Sequence, residues 1–436
     1  MKQRKIYKFG LWTASAFVIA NMVGTGVFTS LGFQLEQTTN FIAIAILWLL
    51  GGIIALCGAL VYGELGSVMP RSGGEYHFLT ELYSPFAGFL AGWVSLVVGF
   101  AAPVALASLA FSSYLGGWFP GLDPRVLAVV VLTLLTAIHA FSLRLSGKMQ
   151  GALTLLKILF IVVFIILGFT LPVEHQPVKP SLEGFGWDII FNPGFAVSII
   201  WVYYAYSGWN ASAYIADDME RPQHTLPRSL LLSTLVVTVM YLLLNAVFLL
   251  TTPAADMAGK VEIGLIAANR MFGSGIGSMM GIAIALLLLS SISSMIFVGP
   301  RVSCRMGEDH KLLGFLQIRS KRHIPVVALL VQFVLSLVMI LTGSFRFITE
   351  YTGILLSLCS LLTVLGVFRH RRRFPSMERP FRTPLYPLTP ILFAIPILVS
   401  VVYLCTTNWM NLAVSAGILL LGAIVYMIEK KVYDEK

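Results

Sequence analysis

The chain has 436 residues, of which 57% are hydrophobic and 11% charged, with a formal net charge of +10. A soluble domain carries about a quarter charged residues, so the composition excludes a soluble globular protein and points to an integral membrane protein. The positive charge is spread over alternate loops rather than gathered in one patch. That reads as membrane topology, with membrane-lipid contact as a by-product, and not as nucleic-acid binding.

The N-terminal Met-Lys-Gln-Arg-Lys precedes 27 uncharged residues, Phe9 to Leu35. The run is too long for a signal peptide and no soluble mature domain follows, so it reads as the first span. Within it, Ile19-Ala20-Asn21-Met22-Val23-Gly24-Thr25-Gly26-Val27-Phe28 puts helix-weakening residues at mid-span. Unpaired backbone groups in lipid cost several kcal/mol each, so unwound backbone survives only where it lines a cavity. The run 37–63 is span 2, with Glu64 closing it at the cytoplasmic boundary. The run 82–122 reads as one long third span with extra interfacial length. Span 4 is 126–143, and its lone His139 reads as a satisfied packing residue.

Span 5, 149–173, holds Lys157, the only charge deep in a span. Intramembrane ionisable groups are functional by default; the competing reading is a stem that snorkels to the surface. Span 6, 189–216, repeats the interruption of span 1 at Tyr204-Ala205-Tyr206-Ser207-Gly208-Trp209-Asn210. Spans 7 to 10 follow at 229–255, 271–300, 324–345 and 351–368. Gly273-Ser274-Gly275-Ile276-Gly277 opens span 8 outside any nucleotide-binding setting. The run 383–428 is split by Thr406-Thr407-Asn408-Trp409 into spans 11 and 12. Cys57, Cys304, Cys359 and Cys405 form neither a disulfide framework nor a metal-ligand spacing. No cofactor motif, metal cluster or nucleophile–base pair is present, so no enzyme is expected.

The even count puts both termini on one side. With that side inward, 24 of the 30 Lys and Arg fall in inner segments and five in outer loops, so both termini are expected in the cytoplasm. Arg369-His370-Arg371-Arg372-Arg373 reads as a topology anchor. Residues 1–173 and 189–373 read as inverted five-helix repeats of one transmembrane domain, with 383–428 appended. Broken spans at matching places in two halves mark a central binding site of the kind transporters use.

Several motifs carry a resemblance. Gly24-Thr25-Gly26-Val27-Phe28 and Tyr206-Ser207-Gly208-Trp209-Asn210 are the two breaks. Tyr62-Gly63-Glu64-Leu65 with Pro70-Arg71-Ser72-Gly73-Gly74-Glu75-Tyr76 follows span 2. Arg221-Pro222 with Leu226-Pro227-Arg228 follows span 6, and Arg379-Pro380-Phe381-Arg382 precedes span 11. On these the whole chain resembles the amino acid–polyamine–organocation superfamily, and within it the L-type amino acid transporter branch. The resemblance implies an all-α protein of twelve transmembrane helices with a LeuT-like 5+5 inverted repeat. It also implies an amino acid as the small-molecule partner. The outer loop Gly116-Gly117-Trp118-Phe119-Pro120-Gly121-Leu122-Asp123 lacks the cysteine by which eukaryotic members join a glycoprotein, so no disulfide-linked heavy chain is expected. Ser207 replaces the first glycine of the span 6 motif.

A free amino acid needs partners for a carboxylate and an ammonium. The half-helix after the first break offers N–H groups at Thr25, Gly26 and Val27 and the positive end of its dipole. Carbonyls of Ala20, Asn21 and Met22, beside Val23, and of Tyr204, Ala205, Tyr206 and Ser207, can accept from the ammonium. Gly24 and Gly26 let a ligand approach the backbone, or serve close helix packing. Tyr204 and Trp209, with Gly208 between broken ends, read as gate or pocket wall, whereas Tyr203 reads as packing. Asn210 is a helix cap or a ligand contact. In members of the superfamily a lysine placed like Lys157 resembles a built-in substitute for the sodium ion between spans 1 and 8. Ser290, Ser291, Ser293 and Ser294 are its candidate partners. Asp217 and Asp218 suit basic residues at an inner gate.

All twenty acidic residues fall in loops or at span ends, so a cationic side chain is expected to find no buried counter-charge. The expected function is secondary transport of neutral amino acids, such as Ala, Ser or small-to-medium aliphatic ones. It would run by alternating access across a cytoplasmic (inner) membrane without sodium, by exchange or proton coupling. The alternatives are a cationic amino acid or polyamine carrier, and an amino acid receptor that moves nothing.

Overall fold

The computed structural model describes residues 8, 10–119, 121–141, 143–171 and 184–433, with the side chains of 143–153 and 433 left out. Lys2, Arg4, Lys5, Lys179 and Lys436 of the topology argument, Phe9 and Pro120, and the repeat boundary at 173 lie outside the described residues.

The described chain is helical throughout. In order the helices are α1 Leu11–Met22, α2 Thr25–Gln34, α3 Phe41–Val68, α4 Glu75–Leu82, α5 Pro85–Val94, α6 Ala101–Leu115, α7 Pro124–Phe141, α8 Leu143–Thr170, α9 Trp187–Ile190 and α10 Pro193–Tyr206. Then come α11 Pro222–Thr251, α12 Ala254–Met257, α13 Ile263–Asp309, α14 Val326–Thr342, α15 Phe345–Arg373, α16 Leu388–Thr407 and α17 Trp409–Tyr433. Among the described residues, nine helices are long and apolar enough to cross a membrane, and two shorter apolar helices, Thr154–Thr170 and Val326–Thr342, join them.

Local chemistry sets several boundaries. Asn40 caps α3 by accepting from the Ala43 N–H at 3.0 Å, and Asn192 caps α10 from Gly194 N–H at 2.8 Å with Pro193 at the first position. Asn408 separates α16 from α17, where the split was expected. Of the run 82–122, Pro85–Trp118 forms one apolar span of 34 residues, the long third span expected, with a π turn inside it. Ser84 and Pro85 start α5 afresh after α4 ends at Leu82, with Ser84 Oγ accepting from Ala87 N–H. Ser95–Gly99 is a π turn, closed by Phe100 N–H to Ser95 C=O at 3.3 Å. Pro103 follows it and has no N–H to give the Gly99 carbonyl, and Val104 N–H resumes the ordinary register to Phe100 C=O at 3.4 Å.

The two interrupted helices lie at the centre. α11 packs on α1 and α3, α13 on α6, and α10 on α2, α3 and α16. Away from the membrane core, Glu64 is fully buried and holds two guanidiniums. Arg371 bonds it through Nε and Nη2 at 2.8 and 2.6 Å, and Arg379 Nε lies 3.2 Å away. Thr383 N–H adds a bond at 2.7 Å. Arg371 thus does more than anchor topology: it ties α15 and the segment before α16 to the end of α3. Removing one side of a buried pair typically costs about 3–5 kcal/mol. Glu64→Ala is therefore expected to lower the unfolding midpoint in detergent by several degrees, whereas Arg372→Ala, nearby on an exposed face, should leave it unchanged.

Candidate functional site

The first break is two residues long. α1 ends at Met22, Val23 is extended (φ −75, ψ 90), and Gly24 (φ −135, ψ −145) precedes α2, whose N-terminus has no side-chain cap. From Ala20 to Leu35 every residue is buried except Gly24. The carbonyls freed here are taken up one by one. Tyr241 OH donates to Met22 C=O at 2.6 Å and to Ala205 C=O at 3.1 Å, linking both broken helices to α11. Lys157 Nζ donates to Val23 C=O at 2.6 Å and to Ser291 Oγ at 2.9 Å. Lys157 is 1% exposed, so its stem does not snorkel; it joins α8, the first break and α13.

Of the serines expected around that ammonium, only Ser291 reaches it. Ser290 Oγ is buried and makes no hydrogen bond among the described residues. Ser293 meets His139 Nε2 at 2.9 Å, which bears out His139 as a packed, satisfied residue. Ser294 donates to Asn21 Oδ1 at 3.2 Å, while Asn21 Nδ2 donates to Phe17 C=O.

The second break runs over Ser207 (φ −54, ψ 148), Gly208 and Trp209 to Asn210, and a 3₁₀ helix, Ala211–Asp218, follows. Gly208 has φ +94, and a side chain there would strike the Asn21 carbonyl at 2.8 Å. This position needs glycine twice over. Ser207, Gly208 and Asn210 are partly exposed, whereas Trp201 to Tyr206 are buried. The two broken helices touch where a Cβ on Gly26 would lie 2.3 Å from Ala205 Cα. Gly26 is therefore a packing glycine, and no ligand has room at its Cα.

A cavity of about 60 Å³ opens beside the second break. Of the residues expected at the site, Asn21, Ser207, Gly208, Trp209 and Asn210 line it. Met22, Val23, Gly24, Thr25, Gly26, Val27, Tyr204 and Ala205 do not. Tyr204 packs among Val94, Val98, Ala102 and Leu355, and Tyr203 lines the cavity, which reverses the roles expected of the two tyrosines. Their positions in α10 explain it: adjacent residues on a helix point about 100° apart, so only one can face the opening. Trp209 is wedged against Tyr62, ring centroids 4.7 Å apart, with Gly58 under it.

The remaining wall comes from residues with no obvious sequence mark: Ser95, Gly99 and Phe100 of the π turn, Met295 and Val298 of α13, Ser360 of α15, and Tyr214. Pro103 in mid-span was the available signal for the π turn. Glu75 lines the cavity too and is 4% exposed. The expectation that no buried carboxylate faces the pocket is therefore corrected. Glu75 lies at a span end in sequence, but its helix start is folded inward under the second break. Asn210 Nδ2 bonds Glu75 Oε1 at 2.6 Å and makes no helix cap.

Tyr214 and Val298 also border a second cavity of about 550 Å³, lined by Asp217, Asp218, Arg301, Arg305, Glu308 and Arg319. Tyr214 stands edge-on to Phe100, centroids 5.7 Å apart, between the two spaces. Arg305 lies 3.6 Å from Asp217 and 2.7 Å from Glu308, so the expected pairing of the span 6 acids with basic residues is present for Asp217.

A helical membrane protein whose two interrupted helices meet at its core, beside a small cavity, has the build of a transporter rather than an enzyme. The family model for amino acid permeases matches residues 9–428, and the chain belongs to that family. It is similar to the serine/threonine exchanger SteT of Bacillus subtilis (strain 168), 29% identical over 393 residues covering 88% of each chain. It is also similar to the Asc-type amino acid transporter 1 of Mus musculus, 28% identical over 397 residues, 89% of this chain and 74% of that one. The cystine/glutamate transporter of Homo sapiens is 26% identical over 432 residues, 97% of this chain and 85% of that one.

Proposed function

We propose that the protein carries small neutral amino acids across the cytoplasmic membrane by alternating access, without sodium, and works as an exchanger. One observation carries this reading. Between Ala20 and Leu35 only Gly24, before an uncapped helix N-terminus, is partly exposed, and after the buried stretch Ser198 to Tyr206 Ser207 and Gly208 are partly exposed just past a helix C-terminus. Such a pair of ends suits a carboxylate and an ammonium held together. The proposed ligand contacts are Asn21 and the uncapped start of α2 at Gly24 and Thr25 on one side and Ser207, Gly208, Trp209 and Asn210 on the other. The small cavity means that a bulky side chain needs its walls to move, and the neutral charge class is drawn from the likeness to a serine/threonine exchanger, now that the argument from missing acids has fallen. The names of the similar proteins, one exchanger and two transporters of amino acids, support the class and leave the substrate open.

The proposed architecture is twelve spans with a LeuT-like inverted repeat, 1–173 and 189–373, plus 383–428, and both termini cytoplasmic. The charge bias of the loops supports that orientation. Lys157 is proposed to hold the first break to α8 and α13 in place of a bound cation. Counterflow in sodium-free liposomes tests the proposal. Liposomes preloaded with unlabelled alanine or serine should take up the labelled amino acid transiently above equilibrium. A protein that binds amino acids but shows no counterflow would be a receptor.

A further inference from the structure

We propose that Glu75 is an anionic subsite that reads the side chain of the carried amino acid. It favours a small side chain that donates a hydrogen bond and excludes one that ends in a carboxylate. This rests on the reading that the 60 Å³ cavity holds the amino acid.

Glu75 follows the left-handed turn at Gly74 (φ +55), which tucks the start of α4 beneath Tyr214. Its two oxygens are unequally used. Oε1 accepts from Tyr62 OH at 2.9 Å, from Asn210 Nδ2 at 2.6 Å and from Ser360 Oγ at 3.5 Å. Oε2 accepts from Tyr214 OH. Each carboxylate oxygen has about two acceptor sites, so Oε1 is crowded by three donors while Oε2, with one, keeps a site, and the residue lines the cavity.

Every one of those donors is neutral. Among the described residues no Lys, Arg or His comes within ion-pair distance of Glu75, whereas the other deeply buried acid of the inner region, Glu64, has Arg371 and Arg379. A buried charge without a counter-ion is costly, and here the cavity lies against it. A ligand hydroxyl or amine can complete its hydrogen bonding. An apolar isostere leaves the oxygen dry and unmet, the situation in which binding sites discriminate most sharply. A second carboxylate would be repelled at close range.

The test uses the full chain in liposomes, with counterflow of labelled serine competed by unlabelled threonine, valine and aspartate. Threonine and valine have nearly the same shape. In the wild type, threonine should compete at least tenfold better than valine, and aspartate should not compete. In Glu75→Gln, aspartate should compete at least tenfold better than in the wild type and the threonine-to-valine preference should shrink. Glu75→Asp, which keeps the charge, should still exclude aspartate. Equal preference for valine and threonine in the wild type overturns the proposal with no variant needed. So does a Gln variant whose competition pattern is unchanged, or an equal loss for all three competitors in both variants, which is the mark of a merely structural latch. Wild-type liposomes in which no amino acid gives counterflow remove the functional reading along with it, a result distinct from normal counterflow with the wrong selectivity.

Discussion

Lys157→Ala is expected to cut exchange at least tenfold in sodium-free liposomes while the protein still purifies as a folded, monodisperse species. The ammonium bonds a main-chain carbonyl that the helix break has left open, at 2.6 Å, and a serine on a third helix, at 2.9 Å. A hydrogen bond made by a charged group contributes about 1.5–3 kcal/mol, and about 1.4 kcal/mol is a factor of ten in rate. Losing either bond is therefore enough for the predicted effect. Ser291 Oγ also approaches Val23 C=O, at 3.4 Å, so the carbonyl keeps a weak partner in the variant and the fold is spared. If Lys157 only bridges, an imposed pH gradient drives no accumulation in the wild type. Uptake against a concentration gradient under such a gradient, lost in Lys157→Ala, would assign it a proton-coupling role instead. Full activity of the Ala variant would dismiss both.

Gly26→Val is expected to abolish transport and, in addition, to lower thermal stability. The clash partner is decisive. The new Cβ meets Ala205 Cα at 2.3 Å and Ala205 Cβ at 2.7 Å. Overpacking a core usually costs about 1–3 kcal/mol, and backbone on the far side leaves little to yield. The two broken helices must separate, which also displaces the Tyr241 hydroxyl shared by Met22 and Ala205. Ala205→Gly should not restore the variant, because the nearest atom is the Cα that remains. Gly24→Ala makes a useful contrast. Its Cβ would lie 3.4 Å from Ser291 Oγ, so it should fold normally and report on the ligand alone. A Gly26→Val protein with wild-type stability and transport would show that the crossing is looser than the distances indicate.

The breaks were legible because membrane depth makes their residues anomalous. Asn, Gly and Ser in the middle of apolar runs have few innocent explanations, and both interruptions fall inside the expected runs, 19–28 and 204–210. Lys157 stood out for the same reason. Its partner could be narrowed to four serines on α13 but not further, since the choice of Ser291 over Ser290 depends on the rotation of that helix about its axis. The cavity wall was less legible. Whether Tyr203 or Tyr204 faces the opening is again a matter of about 100° of helix rotation. Glu75 was hidden by a different cause: a carboxylate in a Gly-Gly loop reads as a solvated residue, and only the tertiary fold shows the loop tucked under the second break. Gly26 illustrates the reverse. It sits in the right motif, yet its freedom serves contact with α10.

A tethered ammonium has no concentration. An ion held by mass action stabilises its site by an amount that rises with the logarithm of its supply, so a carrier built around one works differently in fresh and salt water. The joint among α8, the first break and α13 is filled by a side chain of the chain itself. If Lys157 serves there as proposed, its presence does not depend on the concentration of any metal ion. Such a carrier gives up the ability to draw work from an ion gradient at that position, and gains a geometry that no change of ionic environment can empty.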